Sequence, residues 1–129
     1  MHQRQAIREA VVAALSGKTA AETRVYATRE VPWKRLELPG ISVYCLEEEK
    51  DQGKLKVQVA VLLVAALTEK VDDALDDLAL EVENAMALDM TLGRTAMATR
   101  YTGMQVEISE EQGRPVGAMR LLYDAWYQP

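Results

Sequence analysis

Carboxylates are the side chains in this sequence best placed to do chemistry. Asp72, Asp73, Asp76 and Asp77 fall at helical spacing, and carboxylates at i and i+4 project together and can hold a divalent cation. No second cluster at ligand spacing and no calcium-loop pattern accompanies them. A solvated helix face is therefore the simpler account, and a face turned to a partner or a pore is the next. Glu47, Glu48, Glu49 and Asp51 form the other run. Paired carboxylates do acid–base work only where burial separates their pKa values, and a polar hairpin tip supplies no burial. Ser16, Ser42 and Ser109 have no histidine to activate them except His2 at the chain start, and no G-x-S-x-G motif is present. Cys45, the lone cysteine, stands in the apolar run Val43-Tyr44-Cys45-Leu46 and reads as a buried, inert thiol. The glycines are scattered singly and form no phosphate loop or dinucleotide fingerprint. The expectation is a protein that is not an enzyme, with no catalytic residue, no metal and no cofactor.

Residues suited to contact with another protein are easier to find. Trp33-Lys34-Arg35 joins an aromatic ring to two cations, and Trp and Arg are enriched among the residues that dominate interfaces. The same triplet could stack a nucleic-acid base, and a loop tryptophan packed on its own domain is the plainest account. Near the end of the chain, alternation puts Tyr123, Ala125 and Tyr127 on one strand face and Leu122, Asp124 and Trp126 on the other. Either the strand is buried between layers or one face meets another subunit. Trp33, Arg35, Tyr123 and Trp126 are the candidate interface residues.

The elements that position them can be read from periodicity. Ile7, Ala10, Val11, Ala14 and Leu15 lie at helical spacing over about Gln3 to Ser16, and Gly17 can end that helix. Arg24 to Thr28 is a short candidate edge strand. Arg29 to Gly40, with Pro32 and Pro39, reads as a structured loop. Ile41–Leu46 and Leu55–Val64 make an antiparallel hairpin around a polar turn region from Glu47 to Gly53. Thr68 is the expected cap of a second helix, with Glu69 in its first turn and Val71, Leu75, Leu78, Val82 and Met86 on one stripe down to about Leu88. A connector follows, and then Arg100–Glu110 and Val116–Tyr127 form a second hairpin around Glu111 to Pro115. This order predicts an α+β fold: a mixed, mainly antiparallel sheet of about five strands, with two helices packed on one face.

Size and composition bound the rest. A chain of 129 residues, 49% apolar and 27% charged, reads as a single globular domain spanning 1–129. A lone cysteine allows no internal disulfide and fits a reducing compartment. No signal-peptide pattern opens the sequence, and the longest apolar stretch, Val57 to Leu67, is too short for a membrane span. The net charge of −5 and pI near 4.9 argue against a nucleic-acid surface, which needs clustered Lys and Arg. Work in a cytoplasm, or in something assembled there, is the expectation.

Taken together, the pattern resembles the tail terminators of long-tailed bacteriophages, the minor tail protein U family, over nearly the whole chain. The N-terminal helix through Leu15 matches. So does Leu38-Pro39-Gly40-Ile41-Ser42-Val43-Tyr44, where the family has an apolar-Pro-x-apolar-x-Val-Tyr strand opening. The Leu55–Val64 strand, the acidic helix after Thr68 and the closing hairpin with Gly113 near its turn match in order and spacing. The resemblance implies a homo-oligomer, a hexameric ring on the tail tip, with the tail tube protein and a head completion protein as partners. It implies assembly in the host cytoplasm and residence in the virion tail. It brings no catalytic residue, no sequence-specific nucleic-acid partner and no membrane. In such a ring, Asp72, Asp76 and Glu81 could give an acidic lumen along which DNA slides. A neck or head–tail completion protein is the near alternative, and a small bacterial cytoplasmic ligand-binding or regulatory domain the distant one.

Overall fold

A computed structural model of the chain describes residues 1–33, 36–111 and 114–129; for 107–111 and 114 it describes the backbone alone. Helix α1 spans Gln3–Leu15 and buries Ile7, Val11 and Leu15, one residue per turn. The His2 ring accepts a hydrogen bond from the Arg4 amide at its start, and Gly17, at φ +74°, turns the chain out of the helix. Helix α2 spans Val71–Ala87 and buries the predicted stripe Val71, Leu75, Leu78, Val82 and Met86, together with Ala79 and Ala85. Its start differs from expectation. The Thr68 hydroxyl accepts from the Lys70 amide and the Thr68 carbonyl from Val71, a turn that precedes the helix rather than capping it. Glu69 thus lies outside the first turn, where Asp72 and Asp73 meet the positive end of the helix dipole.

Five strands form one sheet in the order β1-β2-β3-β5-β4: β1 Val25–Tyr26, β2 Gly40–Asp51, β3 Lys54–Ala66, β4 Ala98–Glu111 and β5 Arg114–Tyr127. Only β1 runs parallel to its neighbour, β2; the other pairings are antiparallel. The fold is α+β, with a mixed and mainly antiparallel sheet, as expected. The region read as a long polar turn is instead paired strand. Glu47 to Asp51 continue β2 against β3, and the turn itself is Gln52-Gly53, both at positive φ. In the second hairpin Glu111 pairs with Arg114, while Gln112 and Gly113 of the expected turn lie outside the described residues.

Both helices pack on one face of the sheet. Ile41, Val43, Val57, Val59, Val61, Leu63, Met119, Leu121, Tyr123, Ala125 and Tyr127 alternate onto that face and meet the helices in the main core. Gly117 lies on the same face under the start of α2. A Cβ built there would overlap the Val71 Cγ2 methyl and come within 3.4 Å of Leu75 Cδ1, so only glycine lets the helix sit this close. The opposite face is covered at one end by the loop between β1 and β2, through a second small core of Val31, Trp33, Val64 and Val116.

Candidate interaction surfaces

The four candidate residues do not converge. Trp33 is 2% exposed; its ring meets Tyr26 edge-on at 6.1 Å and lies against Gly40. Tyr123 is 4% exposed in the main core, edge-on to Tyr101 at 5.6 Å. Burial raises its phenol pKa, and Glu83 nearby adds to the effect. Trp126 is half-buried on the open face; its Nε1 donates to Asp51 Oδ2 at 2.8 Å and the Arg100 guanidinium lies 5.5 Å from its ring. Trp33 packs on Val64 near one end of β3 while Trp126 pairs with Lys56 near the other, about 26 Å away at the strand rise. Arg35 lies outside the described residues.

The acidic runs separate in a similar way. A shift in pairing between Cys45 and Glu47 turns Glu48 toward the helices and leaves Glu47 and Glu49 on the open face. There they line a cavity of about 230 Å³ with Lys56, Gln58, Thr102 and Asp124. Lys56 bonds Glu49 at 2.7 Å, which raises the ammonium pKa. Glu48 ties three elements together: it accepts from Tyr127 Oη and, at 3.0 Å, from Arg4 Nη1. The bond from Tyr127 first, and then the bond and charge of Arg4, hold the Glu48 carboxyl below its usual range, against the opposing effect of burial.

A pH prediction follows from that direction. A carboxylate whose folded pKa is depressed contributes stability that is present above its unfolded value, about 4.3, and lost as pH falls through the folded value. Glu48→Gln is expected to cost about 1 kcal/mol at pH 7. The gap between variant and wild-type melting temperatures should narrow steadily as pH falls below about 4. A gap that keeps its full width there would show that Glu48 does not act through its charge.

On α2, Glu81 accepts from the Ala20 amide in the turn after α1, whereas the helical repeat puts Asp72 and Asp76 on the other flank of the buried stripe, the flank of Glu83, whose charge acts on Tyr101 of β4. The three residues named for an acidic lumen therefore do not share one surface. No hydrogen bond or ion pair engages the Asp72 or Asp76 side chain among the described residues. Beside them runs a feature that sequence reading missed. Tyr101, Met104 and Val106 of β4, on the helix side of the sheet, are 40%, 48% and 44% exposed, because α2 covers β3 and β5 but stops short of this border strand. Their signal was the apolar share of a strand with nothing beyond it to pack on.

At the other border, Cys45 is half-buried rather than buried. It lines a cleft of about 240 Å³ with Arg8, Ala27, Thr28, Arg29 and Tyr44. Arg8 Nη1 approaches Cys45 Sγ at 4.0 Å, while Arg29 donates to the Cys45 carbonyl and lies 4.8 Å from the Tyr44 ring centre. Neither arginine has an acidic partner among the described residues.

Among the described residues, no group of three or more His, Cys, Asp or Glu side chains is placed to hold a metal ion. None of the described helices is long and apolar enough to cross a membrane. Among curated proteins, none matches the chain. The family described as phage minor tail protein U matches residues 2–127, which takes in both helices and all five strands. The chain belongs to the phage minor tail protein U family, and its role is that of a structural protein of the phage tail.

Proposed function

We propose that this protein is a tail terminator. Six copies form a ring on the tip of the growing tail, cap the tube, stop its polymerisation and present the surface that a head completion protein joins. Assembly takes place in the host cytoplasm and the ring stays in the virion. The observation that carries this reading is the exposed row Tyr101, Met104 and Val106 along an unpaired border strand, in a chain of this family. Exposed apolar residues on a long strand edge are an aggregation hazard unless a partner covers them. A closed ring covers such a patch on every copy by setting it against a different patch of the next.

Deleting the gene in the phage or prophage that carries it tests the reading. The expected result is tails of unregulated length beside unjoined heads, with normal length restored by the gene supplied in trans. Tails of normal length that fail to join heads would assign the chain to the head–tail joint instead.

A further inference from the structure

The two borders of the sheet carry complementary charge that meets no opposite charge among the described residues. At the β1 border, β1 pairs only with Ile41 and Ser42, so β2 from Val43 onward has no strand beside it among the described residues, and the cleft holding Arg8 and Arg29 flanks it. At the β4 border, Asp72 and Asp76 stand exposed one helical turn apart on the flank of α2 that Glu83 shares, the flank turned to the border strand with its apolar row of Tyr101, Met104 and Val106. Carboxylates at i and i+4 project to one side with their Cβ atoms about 5–6 Å apart, a spacing that two guanidinium groups can meet. Leu46, 38% exposed on the β2 edge beside the cleft, gives the apolar row something to pack against.

We propose that the Arg8–Arg29 cleft of one copy receives the Asp72 and Asp76 carboxylates of a second copy, head to tail. This rests on the ring reading above and names the joint that closes the ring. Surface ion pairs between exposed groups contribute little alone; here the flanking apolar contact excludes water and leaves both charges paired. Because the two patches differ and lie on opposite borders, each copy offers one and uses the other, as a closed ring of identical subunits requires. Asp72 and Asp76 are thereby assigned to the joint between copies rather than to a lumen.

The native thiol in the cleft makes the contact testable even where association is weak. A size-tagged copy carrying Asp76→Cys and Cys45→Ser is mixed with the untagged wild-type chain, whose only thiol is Cys45, and oxidised with diamide. The expected product is a tagged–untagged disulfide dimer in excess of either homodimer, lost when the untagged copy carries Arg8→Glu and Arg29→Glu. In sedimentation, that double reversal, or Asp72→Lys with Asp76→Lys, is expected to weaken self-association roughly tenfold or more, and Asp76→Asn, which touches no contact within the chain among the described residues, is expected to weaken it less while leaving the melting curve unchanged. Absence of the mixed dimer, or its persistence with both arginines reversed, overturns the proposal. Wild-type rings that still form and still terminate tails in that case would leave the ring reading intact with its joint elsewhere. Loss of termination as well would fell both.

Discussion

Trp33→Ala is expected to lower stability by about 3–5 kcal/mol, as truncation of a buried large aromatic does. For a chain of this length that is a fall in melting temperature of about 10–20 °C. The ring is 2% exposed and forms the centre of the small core with Val31, Val64 and Val116, so its loss would uncover the open face of β3 and β5. The fit is tight on the strand side as well: a Cβ at Gly40 would overlap the ring and lie 2.9 Å from Cη2. Thermal melting of the purified variant separates the two accounts of this residue. An interface anchor would leave the melting curve of the isolated chain unchanged and reduce only assembly. Trp33 and Trp126 are the only tryptophans, so Trp33→Ala should also remove the blue-shifted part of the emission and leave that of the half-buried Trp126.

Gly117→Ala is the second substitution with a large expected effect. The added methyl would overlap Val71, forcing α2 away from the sheet at its first turn. Overpacking of this kind costs about 1–3 kcal/mol. Val71→Ala, itself destabilising through lost burial, should relieve that clash, so the double variant is expected to be more stable than the sum of the two single losses by about 0.5–3 kcal/mol. Denaturant unfolding of the four proteins measures the coupling. Strict additivity would mean that helix and strand do not meet at this point.

The elements with one buried stripe were legible in the sequence. Ile7, Val11 and Leu15, and likewise Val71, Leu75, Leu78 and Val82, repeat at the helical period because each helix lies on a single sheet face. The β2–β3 hairpin was legible where β3 alternates, from Leu55 to Val59, and failed from Glu47 to Asp51. In that stretch most side chains are solvated, so strand and turn look alike in composition, and the pairing shift after Cys45 breaks the alternation further. The parallel contact of β1 with β2 left no trace, since two residues carry no period and their partner lies beyond a proline-containing loop.

Candidate surfaces were harder to read for a different reason. Trp33 and Tyr123 were named because aromatic residues concentrate at interfaces, but the same large apolar rings fill interiors, and residue type alone does not separate the two. Burial does: both are inside. Arg8 and Arg29 were passed over because they are distant in sequence and come together only where α1 and the segment after β1 flank the edge of β2. Asp72 and Asp76 were seen as part of an acidic helix face, but which flank met the border strand depended on how α2 lay across the sheet.

The sheet ends in two unlike margins, a two-residue strand at one side and a fourteen-residue strand at the other. A brick with dissimilar sides has a direction of laying. In the ring proposed above, copies joined margin to margin would all point the same way around the circle, and the circle would have an obverse and a reverse that are chemically different. A collar with two different faces can seat on a tube with one and offer the other upward, and it cannot be fitted upside down.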